Sequence, residues 1–463
     1  MQKMLARWML PLILIGSLVF TIALLGATPY RSEGFLVFQR GPDNQPLKVI
    51  DIGNPDERQH ANYVKHLMEG KGFPVLRPGS PDLGETYQSH QPPLYYVLAV
   101  GWSKLVGADP ADPSSGRKLR WLNALIGPIT LLGIFFVARW GGCSEEVSLL
   151  ATMFAGFLPM FLALHGAVSN DPLLFAICTW VLAFTLRYSD LGWTLPRALG
   201  LGVLVGLGLL TKTTALVLIP VFLVGVWLAQ RAGKAQLIHY GGALVSIVIA
   251  FPWFLRNNQL YGDFLGLKVF QEAFVNTAQK DFMIQLVAAM REAQGLSPSG
   301  AAADYWLNWF GWWTLRSFFG AFSQMDIFYD PNLYRILGLV ALALLVGAYL
   351  QRRGQKEGWG SPLNALGGLL TLLVALLFLR FNLTYFQAQA RYLYPAIAPI
   401  VILLATGARP VLRKSPAWVL ASVFGLLVVG NIQSLRFVSA EFQKRTAFAK
   451  NSAQPLGVLA RSH

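Results

Sequence analysis

The chain has 463 residues, of which 54% are hydrophobic and only 13% are charged, and its mean hydropathy is +0.47. This composition excludes an ordinary soluble multidomain protein. The net charge is +15, but the cations are spread along the chain and form no patch, so we expect no nucleic-acid partner.

The apolar runs of the chain predict membrane spans. The first run, residues 8–25, predicts a retained signal-anchor helix rather than a cleaved signal peptide. About ten further runs have a length that suits a bilayer: residues 119–138, 147–164, 172–186, 198–210, 214–229, 237–255, 333–350, 362–379, 393–408 and 417–432. We therefore predict an all-α polytopic membrane protein with about eleven transmembrane helices.

One more run, residues 92–106, is short for a bilayer and predicts a juxtamembrane helix on the outer surface. With that run outside and the N-terminus cytoplasmic, the inner loops hold most of the loop cations, as the positive-inside rule requires. The predicted order is a first transmembrane helix in 1–27, an outer loop with juxtamembrane helices and catalytic acids in 28–118, transmembrane helices in 119–255, an outer loop with an aromatic interfacial helix in 256–332, further transmembrane helices in 333–433, and a polar basic tail in 434–463.

Two of these regions face the membrane surface. The second outer loop contains an aromatic stretch with Trp309, Trp312 and Trp313, for which an aromatic belt is a better explanation than a sugar-stacking platform. The tail is predicted to be a surface segment on the outer side that contacts anionic headgroups of membrane lipids.

An acid pair, Asp56 and Glu57, opens an amphipathic segment in the first outer loop. Helix capping explains the pattern by itself, with Asn54 as N-cap and Glu57 in a capping box. The functional interpretation makes Asp56 a general base for an acceptor hydroxyl, supported by Glu57 or by His60 one turn later. Neither interpretation excludes the other.

Polar residues also lead directly into the predicted juxtamembrane helix. Two prolines at 92 and 93 hold His90 and Gln91 at a fixed place beside the bilayer, and Tyr95 follows one turn later. A lone histidine is most often structural. Its position beside an acid-bearing loop makes a site role, as a metal ligand or a substrate contact, as well supported as a structural one.

A third acid, Asp171, precedes the predicted fourth span. Capping again suffices as an explanation, with Asn170 or Asp171 as cap and Pro172 first in the helix. The predicted topology nevertheless places Asp171 on the same face as Asp56, and Ser or Asn would cap the helix without adding charge.

Three cations lie at span ends on the outer face, against the positive-inside trend: Lys212, Arg256 and Arg391. Each alone is weak support, and snorkelling would explain Lys212. Together they predict a basic pocket for a lipid phosphate. The sequence has no Walker A loop, no dinucleotide-binding glycine motif, no HExxH and no CxxC, so an ATP-driven pump and a soluble-cofactor enzyme are not expected.

In this order and on one face, these segments resemble the GT-C superfamily of integral-membrane glycosyltransferases, most closely the bacterial branch related to protein O-mannosyltransferases and aminoarabinose transferases. The segments are Asp56-Glu57, His90 to Tyr96, Asp171, Leu210-Thr211-Lys212, Pro252 to Asn257 and Arg391-Tyr392. The resemblance covers most of residues 51–395.

The resemblance implies an enzyme of the cell membrane that transfers a sugar from a polyprenyl-phosphate donor, with inversion, to an acceptor on the extracytoplasmic side. Asp56 matches the general base, Glu57 its partner, Asp171 the second-loop acid, Lys212 the cation near the donor phosphate, and Arg391 a donor contact. Some relatives bind a metal through an acid before the proline-containing helix. Here His90 and Gln91 stand at that place, which leaves dependence on a divalent metal open.

Two alternatives belong to other classes. A transporter or flippase of a lipid-linked substrate would bind the same groups without reaction, but the large first outer loop and the lack of charged residues at mid-span argue against it. A scaffold subunit without activity is the third interpretation. The sequence leaves open the sugar and whether the acceptor is a protein, a lipid or a glycan.

Overall fold

Long apolar segments fold as helices in a membrane because a helix satisfies its own backbone hydrogen bonds. The computed structural model describes residues 2–40, 45–275, 277–353 and 361–451. It confirms the predicted all-α polytopic membrane fold.

The N-terminal part places one long helix before a folded loop region, which is the predicted first outer loop and keeps that name below. Its elements are α1 Gln2–Ala27, β1 Gly34–Arg40, β2 Pro46–Val49, α2 Glu57–Met68, α3 Leu83–Thr86, a 3₁₀ turn Tyr87–His90, α4 Leu94–Val106 and a 3₁₀ turn Gly116–Leu119. β1 and β2 form an antiparallel hairpin that the sequence did not predict. Helix α4 has 13 residues, which is short for a span and agrees with a juxtamembrane helix.

The central part is a bundle of apolar helices. They are α5 Arg120–Trp140, α6 Glu145–Gly156, α7 Pro159–His165, α8 Asp171–Leu191, α9 Leu195–Thr211, a 3₁₀ turn Thr213–Val217, α10 Leu218–Arg231, a 3₁₀ turn Leu237–Tyr240 and α11 Gly241–Tyr261. Glycines allow α9 and α11 to touch: a Cβ on Gly202 would lie 2.0 Å from the carbonyl oxygen of Gly242.

The second outer loop consists of short elements. They are α12 Leu267–Ala273, α13 Lys280–Ala293, a 3₁₀ turn Pro298–Gly300, α14 Ala301–Asp304, a π-helical segment Tyr305–Gly311, α15 Trp312–Phe319 and the hairpin strands β3 Ala321–Phe322 and β4 Ile327–Phe328. The predicted aromatic stretch is therefore helical.

The C-terminal part returns to long helices. They are α16 Pro331–Arg353, α17 Pro362–Asn382, a 3₁₀ turn Ala390–Ala396, α18 Ile397–Gly407, α19 Arg409–Lys414 and α20 Pro416–Asn451. Helix α20 continues past the predicted span at 417–432, so the tail is helical as far as Asn451. Residues 452–463 of the predicted tail lie outside the described residues.

Each predicted span corresponds to a helical element. Within the described ranges, nine helices are long and apolar enough to cross a membrane, and the pair α6 and α7, bent by 64°, would make a tenth. Helix α9, with 17 residues, is shorter. The number eleven depends on that helix and on the bent pair, and stays a prediction.

The C-terminal helix holds the two outer loops together. Arg445 of α20 is 7% exposed and forms an ion pair with Asp326, which lies between β3 and β4. The Asp326 carboxylate also accepts hydrogen bonds from the backbone N–H groups of Val37 and Phe38 in β1, each at 2.6 Å. The described part of the tail is thus packed along one face against the outer loops.

Candidate active site

A cavity of about 560 Å³ lies where the outer loops meet the ends of the helices. Its polar lining includes acidic, basic, imidazole, amide and hydroxyl side chains: Asp56, His60, Tyr87, Gln88, His90, Gln91, Asp171, Lys212, Gln324, Arg380, Gln387, Gln389 and Arg391. Its apolar side comes largely from α8, α12 and α17 and their neighbours: Leu174, Leu216, Leu265, Leu267, Phe270, Phe274, Val374, Leu377, Phe378 and Phe381. No tryptophan lines it within the described ranges, so the predicted sugar-stacking alternative for the aromatic stretch finds no support.

Asp56 stands at the start of α2 in a left-handed backbone conformation, with φ of 62°. This conformation is uncommon for a residue other than glycine and costs on the order of 1 to 3 kcal/mol. The capping interpretation was wrong in detail. The residue that precedes the helix is Asp56 rather than Asn54, and its side chain caps no backbone N–H.

The Asp56 carboxylate instead has two side-chain partners across the cavity. The Tyr87 hydroxyl donates to Oδ1 at 2.5 Å, and Arg391 Nη2 donates to Oδ2 at 2.5 Å. Burial would raise the pKa of Asp56, but the Arg391 guanidinium and the Tyr87 hydrogen bond outweigh it and lower that pKa from 3.8 to about 2. Asp56 is therefore held ionised and oriented.

The second acid forms a matching pair. Lys212 leaves the end of α9 with an extended backbone, and its Nζ lies 2.5 Å from Oδ1 of Asp171, the first residue of α8. Arg391 joins the two pairs, because its Nη1 is 4.0 Å from Asp171 Oδ2. The ring of Tyr392 lies under both cations, 5.7 Å from Lys212 Nζ and 5.3 Å from the Arg391 guanidinium carbon.

The two histidines line the cavity beside these charges. His60 Nδ1 is 2.8 Å from the Tyr96 hydroxyl, and His90 Nδ1 is 2.8 Å from the Tyr87 carbonyl oxygen. Burial lowers the pKa of each histidine from 6.5 to about 4. Both rings are therefore neutral near pH 7.

Gln91 connects the juxtamembrane helix to the start of α8. Its Nε2 is 3.0 Å from His90 Nε2, and its Oε1 accepts a hydrogen bond from the Asn170 side chain at 3.1 Å. Both Gln91 and His90 line the cavity, so the predicted position beside the acids holds for these two residues.

Glu57 does not reach the cavity. Its carboxylate is 1% exposed and is paired with Arg120, at 2.7 Å to Nε and 2.6 Å to Nη2, and it also accepts the backbone N–H of Val168 at 2.9 Å. The structure therefore places Glu57 in a buried pair that joins the first outer loop to α5, away from Asp56.

Two other predicted residues also lie elsewhere. The Tyr95 hydroxyl accepts hydrogen bonds from the Asn123 amide at 3.2 Å and from the Ser169 backbone N–H at 3.1 Å, and Tyr95 does not line the cavity. Arg256 stacks on Trp253 and donates to the carbonyl oxygens of residues 73 and 74. Of the three predicted cations, only Lys212 and Arg391 line the cavity.

Sequence reasoning missed several lining residues. Tyr87 lies in the polar segment that leads into the juxtamembrane helix, but nothing in the sequence marked its hydroxyl as part of a site. Gln324 and Met325 belong to the turn between β3 and β4, where Met325 has φ of 60°. Arg380 lies exposed in the last turn of α17. It directly follows an unbroken apolar run, and this position of a cation at a span end could have identified it.

A metal does not fit these side chains. Within the described residues, no group of three or more His, Cys, Asp and Glu side chains could hold a metal ion. The reason is local, because Asp56 and Asp171 are each already paired with a cation.

Comparisons with known proteins find similarity to membrane glycosyltransferases. The model of the dolichyl-phosphate-mannose-protein mannosyltransferase family matches residues 90–255. The undecaprenyl phosphate-alpha-4-amino-4-deoxy-L-arabinose arabinosyl transferase of Pseudomonas paraeruginosa is 29% identical over 397 residues, which cover 78% of this chain and 67% of the relative.

Solved structures show the same fold. The Archaeoglobus fulgidus oligosaccharyltransferase tethered with an acceptor peptide matches with a TM-score of 0.55 at 13% identity, over 95% of this chain and 56% of that chain. The archaeal enzyme in complex with an inhibitory peptide and a dolichol-phosphate matches with a TM-score of 0.52 at 14% identity, over 97% of this chain and 56% of that chain.

These findings confirm the predicted resemblance: the chain is similar to integral-membrane glycosyltransferases of the GT-C superfamily. It spans about 56% of the length of the archaeal enzyme.

Proposed function

We propose that the protein transfers a sugar from a polyprenyl-phosphate donor to a hydroxyl group of an acceptor on the extracytoplasmic side of the cell membrane. The observation that carries this proposal is the cavity itself. Two acids and two cations form ion pairs in the lining of a space that also has a large apolar lining, much of it from α17.

The two sides of the cavity suit the two parts of such a donor. Leu377 and Phe381 on α17 offer an apolar surface for a prenyl chain. Lys212 and Arg391 offer cations for the phosphate at the point where that surface ends. Outside the cytoplasm nucleotide sugars are absent, so a lipid phosphate serves as both carrier and leaving group.

In the proposed reaction, Asp56 takes the proton of the acceptor hydroxyl. The acceptor oxygen forms a bond to the anomeric carbon from the face opposite the phosphate, so the configuration inverts. The bond between that carbon and the phosphate oxygen breaks, and its electron pair stays on the phosphate. Lys212 and Arg391 stabilise the negative charge that develops there.

The similarities named above suggest two donors to test. Purified protein in liposomes is given undecaprenyl phosphate linked to 4-amino-4-deoxy-L-arabinose or to mannose, together with candidate protein, lipid and glycan acceptors. Mass spectrometry should then show consumption of one donor and a glycosylated acceptor. A donor that crosses the bilayer without being consumed would favour a transporter instead.

The variant Asp56→Asn tests the base. It keeps a polar group of the same size and should reduce the transfer rate by about 10²- to 10⁴-fold. The matched control is Asp281→Asn, which removes a carboxylate that is 80% exposed in the second outer loop and should leave the rate unchanged. Equal rates for parent and Asp56→Asn would disprove the assignment of Asp56.

A further inference from the structure

We infer that Arg391 is shared between Asp56 and the donor phosphate, so that binding of the phosphate releases Asp56 to act as the base. This inference rests on the proposed function. It makes Arg391 a positioning residue for Asp56 as well as a contact for the donor.

Arg391 is placed to exchange partners. Its Nη2 lies 2.5 Å from Asp56, and its Nη1 lies 4.0 Å from Asp171. Its side chain is only 7% exposed, and its buried Nε has no hydrogen-bond partner among the described residues. A buried guanidinium with an unused donor has the capacity for one more acceptor.

The charges of the cavity make an exchange necessary. Asp56, Asp171, Lys212 and Arg391 form two ion pairs whose formal charges cancel. A phosphodiester adds one negative charge, which is costly to bury unless a cation turns toward it.

The other titratable groups of the cavity do not remove this need. His60 and His90 are neutral near pH 7. Arg380 also lines the cavity, but it is exposed at the end of α17, where solvent screens its charge far more than those of the largely buried Lys212 and Arg391. The phosphate therefore competes with the two carboxylates for Lys212 and Arg391. Arg391 is the cation whose departure affects Asp56.

The exchange strengthens the base. While Arg391 is in contact, the pKa of Asp56 is about 2, and a carboxylate with so low a pKa is a weak proton acceptor. When the guanidinium moves to the phosphate, burial remains and raises the pKa. The Tyr87 hydroxyl, which donates to Oδ1 at 2.5 Å independently of Arg391, keeps the carboxylate in position. Proton transfer is thus favoured only after the donor has bound.

The test measures binding of undecaprenyl phosphate in detergent, which requires neither the sugar nor the acceptor to be known. Asp56→Asn removes the competitor for Arg391, so it should bind this lipid about fivefold or more tightly than the parent, within the range typical of coupled sites. The control Asp281→Asn should bind as the parent does.

A second variant separates competition for Arg391 from simple repulsion between Asp56 and the phosphate. Arg391→Gln should weaken binding of undecaprenyl phosphate. The double variant Arg391→Gln/Asp56→Asn should bind this lipid no more tightly than Arg391→Gln alone. If Asp56→Asn tightened binding equally with and without Arg391, repulsion would explain the gain and the inference would be wrong.

Unchanged or weaker binding by a folded Asp56→Asn protein also overturns the inference while leaving the proposed function intact. Absence of undecaprenyl phosphate binding by the parent would overturn both. If Asp56→Asn does not fold, Asp56→Gly suits the left-handed backbone, removes the same carboxylate, and must tighten binding in the same way.

Discussion

Glu57 and Arg120 form a fully buried, bidentate ion pair between the first outer loop and α5. Arg120 uses its remaining donors on the carbonyl oxygens of Leu25, Thr28 and Pro29 at the end of α1. Glu57 directly follows Asp56 in the chain. The pair therefore fixes the backbone that presents the proposed base.

We expect Glu57→Gln to destabilise the protein by about 3 to 5 kcal/mol, because it leaves the Arg120 charge buried without an anion to compensate it. The melting temperature in detergent measures this. The control is Glu85→Gln, whose partly exposed pair with Arg58 should contribute about 1 kcal/mol or less. A Glu57→Gln protein as stable as the parent but unable to transfer sugar would point to a direct role in the reaction.

Arg445→Ala should destabilise the outer loops, because Asp326 is fully buried and would lose its cation. We expect a loss of about 3 kcal/mol or more, together with faster proteolysis of the loop around residue 326. Lys444→Ala, at the exposed neighbouring position of α20, provides the control. Equal melting temperatures for the two variants would contradict the importance of the pair.

Gly202→Ala should separate α9 from α11, since the new methyl group would meet the Gly242 backbone at 2.0 Å. Overpacking of this kind costs about 1 to 3 kcal/mol. Because α9 ends at Thr211, directly before Lys212, binding of undecaprenyl phosphate should weaken as well. The control is Gly200→Ala, on the same helix with open space around the new methyl group. We expect it to match the parent in melting temperature and in binding of undecaprenyl phosphate.

The buried histidines predict a loss of stability in acid. His60 and His90 have folded-state pKa values of about 4, below the ordinary value of 6.5, so the unfolded chain binds protons first. The stability that each contributes is complete above pH 6.5 and declines as the pH falls toward 4, by on the order of 3 kcal/mol per histidine. His90→Gln should flatten the dependence of melting temperature on pH in this window. An identical profile for parent and variant would refute the assignment.

Much of the site could be predicted because topology determines which residues share a face. Counting spans placed Asp56, Asp171, Lys212 and Arg391 at the same end of the bundle, and these four are the groups that form the ion pairs of the cavity. The apolar runs are long enough to predict the helices from their length and composition alone, without knowledge of how the helices pack.

Side-chain direction could not be predicted in the same way. Asp56 and Glu57 are neighbours, yet the left-handed backbone at Asp56 directs one carboxylate into the cavity and the other toward Arg120. Arg256 shares a face with Lys212 but is bound to backbone carbonyl groups of the first outer loop. Such outcomes depend on contacts between segments far apart in the chain, which periodicity does not encode.

The ion pair between Asp326 and Arg445 also sets an order of assembly. The turn that presents Gln324 and Met325 to the cavity emerges from the ribosome well before Arg445, because 119 residues separate Asp326 from Arg445. Until α16 to α20 have been synthesised and inserted, Arg445 is not available to pair with Asp326 in this wall of the cavity. The ion pair that holds this wall of the cavity can therefore form only after α20 has been synthesised.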